Sequence, residues 1–355
     1  MTKKIGIITY QRAHNYGAIL QCLALQTFLN DSYNIETKVI DYRPNFMDYY
    51  HFFSWKRFSP LHPIRAAKEL LFIMRRYKRY KAFHRFIECK LLLDKVYSSK
   101  LAEYNTIVVG SDQLWNINNT NGIFDPMYWG AFKNFGKPKL ITYAVSMGGC
   151  TNIDWNHVKD YIVNFDAISV RELYLKENLS RYAGCQSKWV LDPTLLQPRE
   201  FWLKITSEHM PKKPYLFYYQ ARNKPKAFEY ARETAKRMNL EFIYCSAHIM
   251  LPNSKEMVNA DPINFLNYLR NAAYVITSSF HGTVFCVQFH KYFSSLLLND
   301  GDDGRSKSLL CSIGLEDHLL PLTEPAKILN TDWTIIDVAL DKQRKDSKDW
   351  LLNNL

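Results

Sequence analysis

The stretch Ala273-Tyr-Val-Ile-Thr-Ser-Ser-Phe-His-Gly-Thr-Val-Phe285 constrains the fold more than any other part of the chain. Ala273 to Thr277 is apolar and partly β-branched, which predicts a short buried strand. Ser278 to Gly282 is small and polar, which predicts a tight turn. Thr283 to Phe289 is apolar again, as a helix packed on a sheet must be. Strand, turn and helix in that order place His281 at the carboxyl end of a strand and at a helix N-terminus. Open α/β sheets bind ligands there, free N–H groups there meet anions, and a histidine there can exchange protons near neutral pH. Spacing alone leaves the alternative of a histidine that only caps the turn.

The same order recurs along the chain. Ile5 to Tyr10 reads as a strand, Gln11 to Gly17 as a polar turn, Ala18 to Leu29 as a helix and Glu36 to Asp41 as a second strand, so a parallel sheet is expected. Asn15 and Gly17 fall where a ligand-facing loop belongs, although Asn and Gly also favour ordinary turns. The turn is not G-x-G-x-x-G and carries no dinucleotide fingerprint. Thr106 to Val109 reads as a strand that delivers Gly110 to Asn116 at its carboxyl end. Trp115 beside Asp112, Gln113 and Asn116 suits a sugar; the alternative is a polar turn anchored by a buried Trp. Leu140 to Val145 and Ala167 to Val170 read as further strands. The latter runs into Arg171-Glu172 and a helix to about Asn178. At a strand end, Arg171 can clamp a carboxylate or phosphate in bidentate fashion; a surface Arg171–Glu172 pair is the alternative.

At 355 residues the chain exceeds one ordinary core. Pro193, Pro198, Pro211 and Pro214 with interspersed charges mark the best boundary. Two Rossmann-like α/β domains facing across a cleft are expected: 1–200, with a basic helical insert at about 56–95, and 201–335, followed by a tail or helix over 336–355. In the second domain Ala227 to Met238 and Pro262 to Asn271 read as helices, and Glu241 to Cys245 and Ser294 to Leu298 as strands. Asn299-Asp-Gly-Asp-Asp-Gly-Arg305 lacks the closing Glu of an EF-hand and reads as a turn, with Arg305 aimed at the site.

Charge is unevenly distributed. The net charge is +12, and Lys56 to Lys90 holds eleven Lys/Arg against two Glu. Such a block implies an anionic partner. Ile64 to about Leu93 reads as a long helix in which Leu70, Leu71, Ile73, Met74, Tyr77, Tyr80, Phe83 and Phe86 form a stripe beside the basic face. A helix of this kind can lie on an anionic leaflet or simply cover the protein core. There is no run of 18 apolar residues and no signal-peptide pattern at Met1 to Tyr10. The seven cysteines are scattered, without CxxC spacing, which argues for a reducing cytoplasm and against zinc. No helix-turn-helix, zinc-finger or RNP pattern supports nucleic-acid binding.

His14-Asn-Tyr-Gly-Ala18, Val109-Gly-Ser-Asp-Gln-Leu-Trp-Asn116, Ser169-Val-Arg-Glu172, Leu191-Asp-Pro193 and Ser278-Ser-Phe-His-Gly282, in this order and at these intervals, resemble the polysaccharide pyruvyl transferase family over about Ile5 to Leu320. The resemblance implies a GT-B-like fold, phosphoenolpyruvate as donor, and a sugar diol as acceptor in exopolysaccharide or capsule synthesis. The products would be a pyruvate ketal and phosphate, with no metal or cofactor. It implies that Arg171 binds the donor's phosphate or carboxylate, that His281 is the catalytic acid or base, and that Asn15 lines the donor site. Ser279, Gly282 and Arg305 complete the expected donor site. Ser111, Asp112, Gln113, Trp115 and Asn116 form the expected acceptor site. A lipid-diphosphate-linked acceptor would place the enzyme at the inner face of the cytoplasmic membrane, held there through Lys56–Lys90. Two other readings remain open. One is a nucleotide-sugar glycosyltransferase, with Glu256 or Asp261 as the ribose-binding acid. The other is a non-catalytic protein that binds anions or a membrane surface.

Overall fold

A computed structural model describes residues 2–32, 35–44, 63–95, 101–120, 122–131, 138–207, 213–247 and 256–355. The first sheet contains β1 (Lys3–Ile8), β2 (Ile35–Ile40), β3 (Leu93–Asp94), β4 (Thr106–Asp112), β5 (Lys139–Val145), β6 (Ser169–Val170) and β7 (Lys188–Trp189). Every pairing is parallel, in the spatial order β3-β2-β1-β4-β5-β6-β7. Strand order therefore reverses between β1 and β4, whose carboxyl ends flank the crevice where open sheets take ligands. The second sheet contains β8 (Tyr215–Gln220), β9 (Glu241–Ser246), β10 (Tyr274–Thr277), β11 (Phe293–Leu297) and β12 (Leu319–Pro321), in the parallel order β12-β11-β10-β8-β9. Its reversal falls between β8 and β10. The protein thus has two Rossmann-like α/β domains facing across a cleft, the GT-B-like arrangement.

Helix α1 (Tyr16–Asn30) starts where Asn15 caps it, accepting from the N–H groups of Gly17 at 2.9 Å and Ala18 at 3.3 Å. Eleven consecutive residues from Tyr16 to Gln26 are buried, so the helix is enclosed on all sides. One side packs on the first sheet. On the other, Tyr16 stacks on Phe265 at 4.4 Å and its hydroxyl donates to the Ala260 carbonyl at 2.8 Å. A single apolar cluster consequently runs from Ile5 and Val39 through α1 to Phe217 and Val275, joining the two sheets at their base.

Helix α2 (Pro63–Lys90) is the basic insert. Lys56, Arg57 and the side chains of Arg65, Lys68, Leu70, Leu71, Met74, Arg75 and Arg76 lie outside the described residues. In the remainder, Phe83 and Phe86 are buried as the stripe requires, Lys78, Lys81, Arg85 and Lys90 are exposed, and Tyr77 is exposed rather than covered. Arg79 departs most from expectation. Placed by sequence on the solvated basic face, it is buried, lies over the rings of Tyr16 and Phe83, and donates to the carbonyls of His14, Ser246 and Ala247 at 3.0 Å each. It ties the insert to the loop after β1 and to the second domain.

The remaining helices are α3 (Trp155–Ile162), α4 (Leu173–Ala183), α5 (Pro193–Leu196), α6 (Arg199–Ile205), α7 (Pro225–Arg237), α8 (Pro262–Asn271), α9 (Phe280–Gln288), α10 (Gly304–Ser312) and α11 (Trp333–Asn353). Helix α11 covers the expected tail and returns to the first domain. There Ser347 accepts from the Leu191 N–H at 3.0 Å, and the Leu355 carbonyl accepts from Lys3 at 2.7 Å. Among the described residues no helix is long and apolar enough to cross a membrane, and no group of three or more His, Cys, Asp or Glu could hold a metal ion.

Candidate functional site

The two reversal points face each other, and the strand ends around them supply a buried polar cluster. Tight packing brings His281 to it. Ser279 caps α9 by accepting from Gly282 N–H at 3.3 Å. Gly282 has no room for a side chain, since a Cβ there would stand 2.2 Å from Thr277 Oγ1. The first turn of α9 is therefore pressed against the end of β10. Ser279 and Gly282 serve to place the turn; the Gly282 N–H is already capped and does not face a donor. Asn15 is exposed, but its side-chain oxygen is engaged as the α1 cap.

Arg171, at the end of β6, is the centre of the cluster. Its Nη1 lies 2.5 Å from Asp192 Oδ2 and its Nη2 3.4 Å from Asp112 Oδ1. Its guanidinium stands 4.7 Å from the centre of the Phe280 ring. The surface reading of Arg171 and Glu172 fails, because both are buried. Burial opposes the charge of Arg171, but Asp192, Asp112 and Glu172 outweigh it and its pKa is raised. For Glu172 burial dominates and raises the carboxyl pKa; it accepts from the Ser146 hydroxyl through Oε1, and its Oε2 has no partner among the described residues.

Arg305 enters from the first turn of α10, just after the acidic loop, onto the same aromatic ring, with its guanidinium 5.8 Å from the Phe280 centroid. Nη2 lies 3.2 Å from Asp302 Oδ1. The Gln113 amide oxygen, turned toward it, accepts from Nη1 at 2.7 Å and Nη2 at 3.0 Å. Its pKa is lowered, first by burial and next by repulsion from Arg171. Arg305 is thus a largely covered cation whose acidic neighbours do not fully compensate it. The rest of the loop closes the cleft. Asp302 Oδ1 accepts from Gly149 N–H at 3.1 Å, and a Cβ on Gly149 would sit 2.8 Å from Gly301 C. Asp303 and Asp300 pair with Arg222, which follows β8 and also donates to the Ser278 carbonyl at 2.9 Å.

The expected acceptor residues divide. Asp112 and Gln113 face the arginines. Asn116 lies behind them, its amide 2.6 Å from that of Gln113. Ser111 is fully buried and donates to the Ala144 carbonyl at 2.8 Å, away from any acceptor. Trp115 is not an open platform for a sugar: it is 0% exposed, stacks on Trp129 at 4.6 Å, and donates its indole N–H to the Tyr128 carbonyl at 2.9 Å. It anchors the turn from below.

Sequence reasoning passed over Asp192 and Arg222. Asp192 lies in the Leu191-Asp-Pro193 segment and is completely enclosed. Its Oδ1 accepts from Thr194 Oγ1 at 2.6 Å, and its Oδ2 lies 3.5 Å from His281 Nε2. Burial alone would raise its pKa, but His281, then Arg171 and the Thr194 hydroxyl hold it well below the carboxylate range. The sequence signal was an acid placed directly before a helix-starting proline, which also reads as an ordinary N-cap. Arg222 carried no signal beyond following a strand. Several buried polar atoms at the cleft have no partner among the described residues: Arg171 Nε, Arg305 Nε, Arg222 Nε, Glu172 Oε2 and Ser278 Oγ, while His281 Nε2 has only the long approach of Asp192 Oδ2. Native proteins leave few such groups, and their convergence on one cleft makes it the candidate functional site.

Comparison with solved structures agrees with the topology. A putative UDP-N-acetylglucosamine 2-epimerase from Listeria monocytogenes aligns with a TM-score of 0.53 at 13% identity, covering 98% of this chain and 90% of that one. The UDP co-structure of S. aureus MnaA aligns at 0.50 and 12%, covering 96% and 88%. The glycotransferase of kitacinnamycin aligns at 0.50 and 8%, covering both chains completely. Identities this low show a shared fold and no more. No curated protein matches the sequence. The family profile described as Polysaccharide pyruvyl transferase matches residues 15–297, which take in the α1 cap, Arg171, Asp192 and His281. The chain belongs to the polysaccharide pyruvyl transferase family.

Proposed function

We propose that the protein transfers the enolpyruvyl group of phosphoenolpyruvate to two hydroxyls of a sugar in a polysaccharide precursor, forming a pyruvate ketal and releasing phosphate. One observation carries the reading: the buried Arg171 and the largely covered Arg305 both stand over the Phe280 ring beside His281, and the Nε of each has no partner among the described residues. Phosphoenolpyruvate carries two anionic groups on a three-carbon frame, so a pair of closely set guanidinium groups suits it. His281, with its Nε2 3.5 Å from Asp192, supplies proton exchange.

The steps balance without a cofactor. A proton added to the donor's methylene carbon makes it a methyl group and leaves the adjacent carbon electron-poor. One sugar hydroxyl bonds to that carbon, phosphate departs with the C–O electron pair, and the second hydroxyl closes the ring. Of the two hydroxyl protons, one matches the proton taken up by the methyl group and the other leaves with phosphate. Arg305, incompletely compensated, would stabilise the departing charge.

A nucleotide-sugar reaction is less well supported. Asp261, a candidate ribose ligand, caps α8 and accepts from Asn264 N–H at 2.8 Å. The deciding experiment is phosphate release from phosphoenolpyruvate with soluble and lipid-linked sugar acceptors. Acceptor-dependent release that is lost in His281→Ala and Arg305→Gln is expected. Turnover of a nucleotide sugar with no phosphoenolpyruvate consumption would overturn the reading.

The exposed Lys78, Lys81, Arg85 and Lys90 on α2 further support docking at an anionic membrane surface, where a lipid-diphosphate-linked acceptor would be found. Replacing these four with Gln is expected to abolish flotation with anionic vesicles and to preserve turnover of a soluble acceptor. Unchanged flotation would remove this part of the proposal.

A further inference from the structure

We propose that Nδ1 of His281 is the nitrogen that exchanges the proton, and that Asp192 and Gly17, from opposite sides of the ring, are the positioning residues that make it so. The inference rests on the reading of His281 given above and adds which atom acts and what holds it.

A neutral imidazole has one N–H and one lone pair, and its hydrogen-bond partners decide which nitrogen has which. Nε2 is buried, and the polar atom facing it is Oδ2 of Asp192 at 3.5 Å. A carboxylate accepts and cannot donate, so it favours the proton on Nε2 and leaves the lone pair on Nδ1. The Nδ1–Cγ side of the ring packs against α1. A Cβ on Gly17 would come within 2.0 Å of Nδ1, 2.3 Å of Cγ and 2.7 Å of Cε1. No side chain fits there. Gly17 belongs to the first turn of α1 in the first domain, whereas His281 opens α9 in the second. The ring is therefore seated across the cleft, and the close packing of the Gly17 backbone on it fixes where Nδ1 stands.

Arg171 Nη1 and His281 Nε2 share one oxygen, Oδ2 of Asp192, at 2.5 and 3.5 Å. A donor anion drawn to Arg171 would weaken its hold on that oxygen and let the oxygen approach Nε2. Donor occupancy and histidine orientation are coupled in this way; catalytic hydrogen bonds that are long in the free enzyme commonly tighten when the substrate binds.

The test reads the tautomer directly, by nitrogen NMR of the full chain with labelled histidine, in wild type, Asp192→Asn and Gly17→Ala. Wild type is expected to show the proton on Nε2, and Asp192→Asn to lose that preference. Gly17→Ala is expected to keep the fold and lower kcat by about 100-fold or more through a displaced ring, with the KM for phosphoenolpyruvate within about 3-fold. A proton on Nδ1 in wild type would overturn the assignment even if phosphoenolpyruvate is consumed, as would a fully active Gly17→Ala. An Nε2 proton in an enzyme that turns over no phosphoenolpyruvate would instead overturn the proposed reaction and leave the assignment standing.

Discussion

Arg171 and Asp192 form a buried ion pair, Nη1 to Oδ2 at 2.5 Å, with the side chains 2% and 0% exposed. One comes from the end of β6 and the other from the cap of α5, so the pair joins the sheet edge to the segment leading into the second domain. Arg171→Lys keeps the charge and loses the planar fork that reaches Asp192 and Asp112 together. The expected result is a fall in kcat/KM for phosphoenolpyruvate of about 100-fold, on the order of 3 kcal/mol. Steady-state kinetics beside a circular dichroism melt would separate lost function from lost fold.

Trp115 is an anchor, so its replacement should act on stability. Trp115→Phe removes the indole N–H from the Tyr128 carbonyl and part of the stack on Trp129. It is expected to cost about 1–3 kcal/mol and to leave the acceptor KM within about 2-fold. A large rise in that KM at unchanged stability would return Trp115 to the sugar site.

Arg79 bridges α2, the His14 loop and the end of β9. Arg79→Met keeps the stem over Tyr16 and Phe83 but strands the carbonyls of His14, Ser246 and Ala247. A loss on the order of 3 kcal/mol is expected, measured by urea unfolding. Lys at this position should restore less than half, because one ammonium cannot reach the three carbonyls with the geometry of a fork.

His14 gives a pH signature. Burial, then Arg79 and His84, push its pKa down to about 4. The native state therefore resists protonating it, while the unfolded chain protonates it near the ordinary histidine value of about 6.5. Between those values the unfolded state binds more protons, so stability falls as pH drops through the window. His14→Phe, which suits the Tyr80 and Phe83 rings beside it, should remove this slope, worth on the order of 3 kcal/mol across the window. Melting temperatures of both proteins from pH 7 to pH 4 would check it.

Much of the architecture was local and therefore legible. The strand-turn-helix order around His281 and the β-loop-α opening follow from apolar runs broken by small polar residues, and such runs form the same elements in almost any context. Arg171 was found by its place at the end of an apolar run. The errors share one cause. Trp115 and Arg79 were judged by side-chain chemistry, which states what a group can do when exposed; whether it is exposed depends on neighbours distant in sequence. Trp129 and Tyr128 enclose the first, and Ser246 and Ala247 enclose the second.

The sequence by itself determined that this chain builds parallel β/α units with polar strand ends, because hydrophobic period and turn chemistry act over a few residues. Only the tertiary structure decided which strand ends meet. The reversal of strand order at β1/β4 and at β8/β10 aims two crevices at each other. That brings Gly17 against His281 across 264 positions of chain, and Arg305 onto the ring that Arg171 also faces. Asp192 acquires its role only there, since a carboxylate becomes a positioning group when burial removes water and leaves an arginine and a histidine as its partners.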